Sequence, residues 1–242
     1  MTFEQKSAPR QGRLPALRDR ASALRVLAER LGGHAAERPL RVGIDGRTAS
    51  GKTTLANELA EELRHARRPV IPARIDDFHR PKAERYRQGR FSAVGYYEDA
   101  RDLTALVALL LAPLGPGGDR RIRTASFDLE SDEPVYQEAR YVPPGSILLL
   151  DGTFLQRPEI APHLDFVIFV DADQAVCRER GVARDAAKAA DSEAISSAYV
   201  HRYEPAFTLY QQLVDPRERA DAVFDNNVPS APRLTFRKGT RE

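Results

Sequence analysis

The segment from residue 46 to residue 54 constrains this chain more than any other part of its sequence. It reads Gly-Arg-Thr-Ala-Ser-Gly-Lys-Thr-Thr and fits the pattern G-x-x-x-x-G-K-[ST] at every fixed position. An apolar run, Leu40–Ile44, precedes it, and apolar residues at helical spacing follow it from Leu55 to Leu63. A strand, a glycine-containing turn and a helix in this order predict a loop whose backbone N–H groups surround phosphate oxygens. The segment therefore predicts a nucleotide-binding site.

Each residue type in this loop has a mechanical role. The two glycines allow the backbone to curl, and the helix that follows presents its positive end to the phosphates. Lys52 is expected to reach the β- and γ-phosphates, and the Thr53 hydroxyl to bind Mg²⁺. The predicted nucleotide-binding residues are Gly46, Thr48, Ala49, Ser50, Gly51, Lys52, Thr53 and Thr54.

Acidic residues follow two further apolar runs. Val70–Ile75 leads into Asp76-Asp77-Phe78-His79, and Ile147–Leu150 leads into Asp151. Phosphoryl transfer to a hydroxyl needs a carboxylate to orient and deprotonate that hydroxyl, and groups that hold Mg²⁺. The carboxylates of Asp76 and Asp77 can divide these tasks, and a turn or a helix cap is the alternative. We predict Thr53, Asp77 and Asp151 as metal ligands.

The alternation of apolar runs with helical patterns predicts an α/β fold. The expected architecture is a P-loop NTPase fold, with a parallel β-sheet core covered by helices on both faces. Residues 1–39 are expected to form a tail and an amphipathic helix, with apolar positions from Leu17 to Leu31. The domain itself is predicted over residues 40–230, with a hairpin at 121–142, a last strand at Ala222–Phe224 and a C-terminal tail at 231–242.

A charged helical segment after Asp171 predicts a small helical lid, at about residues 174–192. Arg180 and Arg184 are four residues apart and share one helix face. Beside a phosphate loop, such a pair can close over the nucleotide and stabilise charge during transfer. A solvated helix face is the alternative for these two residues.

Composition narrows the class of partner. Cys177 is the only cysteine, which excludes an intramolecular disulfide and fits a reducing, cytoplasmic location. No apolar run approaches the ~20 residues of a membrane span. The 37 Lys and Arg nearly balance the 35 Asp and Glu, so no nucleic-acid partner is predicted. A small-molecule hydroxyl acceptor is expected, and a homo-oligomer is left open.

At the level of motifs, the chain resembles the uridine kinase branch of the P-loop kinases, which are relatives of phosphoribulokinase, bacterial pantothenate kinase and nicotinamide riboside kinase. The matching segments occur in the family's order over about residues 40–228. They are Gly46–Thr54, Asp76–His79, Leu150–Gly152, Phe169–Asp171, Arg180 with Arg184-Asp185, and Ala220–Val223. The resemblance implies a five-stranded parallel core, the use of ATP with Mg²⁺, lid arginines and Asp76 as the catalytic base.

The acceptor site is where the chain departs from that resemblance. Uridine kinases read the base with a Tyr and a His in a Y-D-F-x-x-H segment, and residues 127–132 here read Phe-Asp-Leu-Glu-Ser-Asp. The family's ribose-binding aspartate aligns near Tyr96. The predicted acceptor residues are Asp76, His79, Tyr97, Asp99, Phe127 and Asp128.

The prediction is an ATP- and Mg²⁺-dependent phosphotransferase that moves the γ-phosphoryl group to a hydroxyl of a small metabolite. The predicted catalytic residues are Lys52, Asp76, Arg180 and Arg184. A nucleoside is the first choice of acceptor. The alternatives are a non-nucleoside acceptor of the pantothenate, glycerate or sugar type, and a catalytically silent nucleotide-binding regulatory module.

Overall fold

The computed structural model describes residues 19–34, 37–187 and 192–237. The strands are β1 (Leu40–Gly46), β2 (Val70–Arg74), β3 (Arg121–Ile122), β4 (Phe127–Asp128), β5 (Glu133–Pro134), β6 (Arg140–Tyr141), β7 (Ile147–Gly152), β8 (Phe166–Asp171), β9 (Ala222–Asp225) and β10 (Arg233–Phe236). The helices are α1 (Arg20–Gly32), α2 (Lys52–His65), α3 (Lys82–Arg85), α4 (Ala93–Glu98), α5 (Leu103–Leu106), α6 (Gln174–Ala186), α7 (Ser192–Ala198), α8 (Glu204–Val214) and α9 (Pro216–Arg219). A π-helical turn, Val107–Leu111, continues α5, and another, Tyr199–Tyr203, joins α7 to α8.

The central sheet has the order β10-β9-β8-β1-β7-β2 within the described residues. Five of its strands, β9, β8, β1, β7 and β2, pair in parallel, which confirms the predicted core. β1 lies in the middle, between β7 and β8, and every residue of β1 is buried. Continuous apolar runs such as those of β7 and β8 are typical of strands that are covered on both faces.

Alternate residues of the strands face two different helical layers. On one face, Val42 and Ile44 of β1 pack with Leu55 and Leu59 of α2 and with the apolar side of α1. On the other face, the helical segment 103–111 covers β2 and β7, while α4 and α8 cover β8. The predicted α/β architecture with helices on both faces is therefore confirmed.

The predicted strand at Ala222–Phe224 forms as β9, but it is not the last one, because the chain turns back and adds β10 within the predicted C-terminal tail. β10 pairs antiparallel with β9 at the sheet edge. Only one of its faces reaches the core, through Leu234 and Phe236. Four alternating residues carry a much weaker sequence signal than a buried run. The predicted hairpin at 121–142 does form, as β3 with β6 and β4 with β5, outside the main sheet.

Several predicted positions lie outside the described residues. These are the N-terminal tail, Leu17 of the predicted first helix, residues 188–191 of the lid and the last five residues of the chain. Among the helices that the structure does describe, none is both long and apolar enough to cross a bilayer.

The strand order brings three loops to one edge of the sheet. β1 ends at Gly46, β2 at Arg74 and β7 at Gly152, and these three strands are neighbours. The register pairs Asp151 of β7 with Ile44 of β1 on one side and with Arg74 of β2 on the other. Ligands of parallel α/β sheets bind at the carboxyl ends of the strands, and the predicted acidic residues meet there.

Candidate active site

The backbone of the glycine-containing loop leaves no room for a Cβ atom at Gly46 or Gly51. Gly51 has a φ of +97°, and a Cβ built on it would lie 2.4 Å from Nδ2 of Asn226. Gly46 has a φ of +150°, and its Cβ would lie 2.5 Å from the carbonyl oxygen of Val170. The Asn226 amide in turn donates to the carbonyl of Ser50 at 2.7 Å. The loop is therefore held tightly against the segment that follows β9.

The first turn of α2 has the free donors that a phosphate group requires. Gly51 is the N-cap, and among the described residues no side chain caps it. The buried Lys52 ammonium donates to the carbonyl of Arg47 at 2.6 Å. Burial lowers the pKa of Lys52, and the nearby carboxylates of Asp151, Asp45 and Asp76 oppose that shift. An amine buried with a single neutral partner and an uncapped helix terminus both fit the phosphates of ATP.

Thr53 and Asp151 form the pair that fits Mg²⁺. The Thr53 hydroxyl donates to Oδ2 of Asp151 at 2.6 Å. Burial raises the pKa of Asp151, although this hydrogen bond and Lys52 pull it down again. A hydroxyl and one carboxylate are hard oxygen donors, and Mg²⁺ in proteins uses few side-chain ligands alongside phosphates and water. Thr53 and Asp151 thus match the predicted metal role.

Asp76 lies in the wall of the same cavity. It belongs to the 3₁₀ turn Ile75–Phe78 directly after β2, and 56% of its side chain is exposed. Its Oδ1 accepts a hydrogen bond from Nη2 of Arg101 at 3.0 Å. Desolvation alone would raise the pKa of Asp76, but the nearby positive groups, with the charge and hydrogen bond of Arg101 foremost, together outweigh it, and the pKa is lowered. The carboxylate is therefore ionised and able to accept a proton.

Asp77 does not accompany its neighbour into the cavity, so the structure does not support the prediction that it ligates the metal. Its carboxylate pairs with Arg74 three residues earlier, at 2.8 Å. It is absent from the cavity lining formed by the described residues. A 3₁₀ turn has three residues per turn, so adjacent side chains diverge by about 120°. Asp76 faces the site, and Asp77 faces away from it.

The predicted lid arginines lie on α6, and both reach the wall of the same cavity. Arg180 on α6 donates to the backbone carbonyls of Asn226 and Asn227, at 3.0 and 2.8 Å. Arg184, one turn later, pairs with Asp185 and contacts the Tyr199 hydroxyl. Both arginines line the cavity. The structure therefore gives them the position that the lid role requires, while the catalytic role itself stays a prediction.

The cavity between these groups has a volume of about 710 Å³, enough for a nucleotide and a small second substrate. The predicted nucleotide-binding residues in its wall are Thr48, Ala49, Gly51, Lys52, Thr53 and Thr54. The other two do not reach the wall. Gly46 is pressed against Val170, and the Ser50 side chain is fully buried behind the loop. Gly46 and Ser50 therefore help to set the shape of the loop and do not themselves line the cavity.

Most of the predicted acceptor residues are used for packing. His79 is buried, and burial together with Arg101 lowers its pKa to about 3. Tyr97 packs edge-on against Phe154 in the core. The Asp99 carboxylate is held by Arg87 and by the Gln88 amide.

The hairpin residues are likewise turned away from the cavity. Phe127 is buried, and the Asp128 carboxylate accepts from the backbone N–H groups of Glu130 and Ser131 in its own turn. Of the predicted acceptor residues, only Asp76 lines the cavity. A sequence cannot show which of several adjacent polar side chains is consumed by local caps and ion pairs.

The residues that do line the acceptor end were missed. Tyr96, Arg101 and Leu129 stand there beside Asp76. Tyr96 adjoins the predicted Tyr97, and Leu129 adjoins the predicted Asp128. In both places the sequence therefore indicates the right segment but not which of its side chains faces the cavity. Arg101 carried no signal, because arginine is abundant throughout the chain.

A fully buried carboxylate supports the loop from behind. Asp45, at the end of β1, accepts from the Tyr210 hydroxyl at 2.6 Å and from the Gln156 amide at 3.1 Å. Burial raises the pKa of Asp45, and these hydrogen bonds counteract the rise. The network ties α8 to the start of the loop.

Known proteins are similar to this chain in sequence and in fold. A model of the phosphoribulokinase / uridine kinase family matches residues 41–231. The chain is similar to uridine-cytidine kinase B of Dictyostelium discoideum, with 30% identity over 187 residues, which are 76% of this chain and 74% of that protein. It is also similar to a pantothenate kinase of Rhodopseudomonas palustris strain BisB18, with 29% identity over 221 residues, covering 84% and 69% of the two chains. Among solved structures, that of a possible uridine kinase from Bacillus stearothermophilus is similar, with a TM-score of 0.67, 27% identity, and coverage of 85% of this chain and 98% of that one.

Proposed function

The chain belongs to the phosphoribulokinase / uridine kinase family and is a small-molecule kinase, and we propose that it transfers the γ-phosphoryl group of ATP to a hydroxyl group that Asp76 deprotonates. The observation that carries this proposal is the convergence of Lys52, the Thr53–Asp151 pair and Asp76 on one cavity. A binding module without catalysis has no need for an ionised carboxylate in the same cavity as its phosphate loop.

The proposed roles follow from the geometry. The N–H groups at the start of α2 and the Lys52 ammonium hold the transferred phosphate and stabilise the charge that develops on it. Asp76 accepts the proton of the acceptor hydroxyl as that oxygen bonds to phosphorus, and the bond to the leaving ADP oxygen breaks. Arg180 and Arg184, which line the same cavity, add positive charge when α6 closes.

Thr53 and Asp151 are the residues that would hold Mg²⁺. When bound, the metal supplies charge neutralisation on the phosphate oxygens. The Asp151 carboxylate fixes the Thr53 hydroxyl through their hydrogen bond, and the charge of Lys52 opposes the rise that burial causes in the pKa of Asp151.

The family leaves the acceptor class open, since the similar proteins named above include a uridine-cytidine kinase and a pantothenate kinase. The nucleoside acceptor stays a prediction, as do the cytoplasmic location and the homo-oligomer. The silent regulatory module is the second candidate, and a tight ATP complex without acceptor-dependent turnover would favour it.

The test is ADP release from ATP and Mg²⁺ with Asp76→Asn. The acceptor panel contains uridine, cytidine, pantothenate, glycerate and simple sugars. Removal of a general base costs about 10²–10⁴-fold in turnover, while the affinity for ATP should hardly change because Asp76 is on the acceptor side. Asp77→Asn is the matched control, since its carboxylate points away from the cavity. Normal turnover in Asp76→Asn, or an equal loss in both variants, would refute the assignment.

A further inference from the structure

Two arginine side chains are buried around Tyr96 at the acceptor end of the cavity. The Cζ atom of Arg101 lies 4.6 Å from the centre of the Tyr96 ring, and that of Arg202 lies 4.8 Å from it. Both residues are more than nine-tenths buried. Burial of a guanidinium group is costly unless anions or hydrogen-bond acceptors compensate for the lost water.

That compensation is incomplete within the described residues. Arg101 uses one nitrogen, Nη2, which donates to Asp76 and to the Tyr96 hydroxyl. Its Nε and Nη1 atoms have no hydrogen-bond partner there, and neither has Nε of Arg202. The ion pairs of the described residues include Arg101 with Asp76 but none that involves Arg202. Buried donors without partners are rare enough in proteins to need an explanation.

The excess of positive charge is confined to the surroundings of Tyr96, since neighbouring arginines are paired. Arg85, the third buried arginine of this region, is neutralised by Asp132, and Arg74 at the cavity wall by Asp77. Two positive charges therefore lie beside Tyr96, and in the part of the chain that the structure describes Asp76 is the single carboxylate that pairs with either of them.

Arg101 is also in the right place to contact an acceptor. It lines the cavity next to Asp76, so a molecule whose hydroxyl reaches Asp76 passes within contact range of the guanidinium. The exposed side chain of Leu129 provides an apolar wall at the same end. Among the described residues, the positions that correspond to the base-reading Tyr and His of uridine kinases are Phe127, which is buried, and Asp132, which pairs with Arg85, so neither offers a neutral polar group to a base.

We propose that the acceptor is an anionic hydroxyl compound whose carboxylate or phosphate group binds Arg101, with Arg202 adding a second positive charge beside Tyr96. The inference rests on the proposed kinase function and narrows its substrate class. A planar guanidinium binds either anion through paired N–H groups. Reorientation of Arg101 toward such a group would provide acceptors for its free donors, and a neutral acceptor would not.

The competing explanation is that Arg101 only holds Asp76 in place. A single nitrogen accomplishes that contact, and the faces of the Tyr96 and Phe154 rings pack on the guanidinium, but the buried donors Nε and Nη1 still lack an acceptor among the described residues. The two explanations differ in what they predict for charged and uncharged acceptors, because a defect in Asp76 affects both kinds equally.

The experiment uses matched pairs of acceptors that differ in the anionic group alone. Glycerate is compared with glycerol, and ribose 5-phosphate with ribose, so the carboxylate and phosphate arms are separate. Turnover is followed as ADP release, and binding of the same four probes is measured by calorimetry with a non-hydrolysable ATP analogue and Mg²⁺ present. We expect kcat/KM and affinity to be at least about 100-fold higher for the charged member of one pair, in line with a desolvated charge-assisted contact.

Variants assign the preference to Arg101. Arg101→Met should raise KM for the charged acceptor by about 100-fold and abolish the preference, whereas Arg101→Lys should restore part of it. Arg90→Met is the matched control, since Arg90 is an exposed arginine on the loop before α4 and is absent from the cavity lining. Thermal melting shows which variants are folded, and Arg101→Lys keeps the test valid if Arg101→Met is not.

The outcomes separate this inference from the proposed function. Turnover of uridine or cytidine with no preference within either pair would overturn the inference and leave the kinase function intact. A loss in Arg101→Met that is equal for charged and neutral acceptors would also overturn it, in favour of the positioning role. Arg101-dependent binding of an anionic probe without any turnover would support the anion site and count against the kinase proposal. The absence of both turnover and binding for every anionic probe would overturn the inference.

Discussion

The two halves of the cavity are built on different physical principles. The phosphate half comes from one contiguous segment, 46–54, held at the end of the central strand β1, and it combines backbone groups with the side chains of Lys52 and Thr53. The acceptor half is made of side chains from separate segments, chiefly Asp76, Tyr96, Arg101 and Leu129. The first half needs particular backbone angles, and the second needs particular charges.

This difference explains why the halves tolerate change differently. A phosphate site made of N–H groups serves any nucleoside triphosphate and has little room for variation, as the contacts at Gly46 and Gly51 show. An acceptor site made of side chains can change its chemistry by one substitution without disturbing the sheet. We therefore expect variants of the loop to affect every acceptor alike, and variants of the acceptor half to affect acceptors selectively.

The largest expected effect in the phosphate half is that of Lys52→Met. Removal of one preorganised donor to a developing charge costs about 10²–10³-fold in turnover, and the loss should be the same for every acceptor. Steady-state kinetics with two acceptors measures it, and Lys82→Met, an exposed lysine outside the cavity, is the control. If the loss of turnover in Lys52→Met differed between acceptors, the phosphate half and the acceptor half would not act independently.

A smaller effect is expected from Gly51→Ala. Gly51 and Gly89 have nearly the same φ, +97° and +98°, but a Cβ at Gly51 meets Asn226, whereas at Gly89 it meets nothing within 4 Å. Both changes should destabilise the fold by about 1–2 kcal/mol through backbone strain. Only Gly51→Ala should also weaken the affinity for ATP, by about tenfold, as measured by calorimetry. Equal affinities in the two variants would show that the Asn226 contact does not shape the loop.

The smallest effect on catalysis is expected from Asp165→Asn, which provides a baseline remote from both halves. Asp165 accepts from Arg41 and Arg38, and it is 13% exposed. Burial would raise the pKa of Asp165, but these arginines hold it well below the ordinary value of 3.8. Breaking such a buried pair costs about 3 kcal/mol, while activity per folded molecule should be unchanged.

The pH dependence of the same variant follows from the sign of the shift. A carboxylate with a lowered pKa in the folded state stabilises the protein above its unfolded pKa, and that contribution is lost as pH falls below about 3.8. Urea unfolding at pH 7 and at pH 3 should therefore show a smaller difference between wild type and Asp165→Asn at pH 3. A constant difference would contradict the assigned ion pair.

The sequence by itself determined the parts of this protein that depend on local pattern. The loop, its flanking strand and helix, the parallel core and the acidic residues Asp76 and Asp151 were all readable, because a buried run or a fixed spacing leaves few structural options. The short strand β10 was missed because four alternating residues fit several local structures equally well.

Only the tertiary structure decided which side chains face the acceptor. Asp76 and Asp77 are identical in type and adjacent in sequence, and the 3₁₀ turn alone separates their roles. Tyr97 packs in the core and Asp99 forms an ion pair with Arg87, whereas Tyr96 and Arg101 line the cavity. Which side chain of the short helix α4 faces the cavity depends on partners distant in sequence, here Phe154 and Arg202 around Tyr96. A binding site built mainly from the backbone of one segment can thus be predicted from a contiguous sequence pattern. A binding site built from side chains of several segments is defined only when those segments pack together.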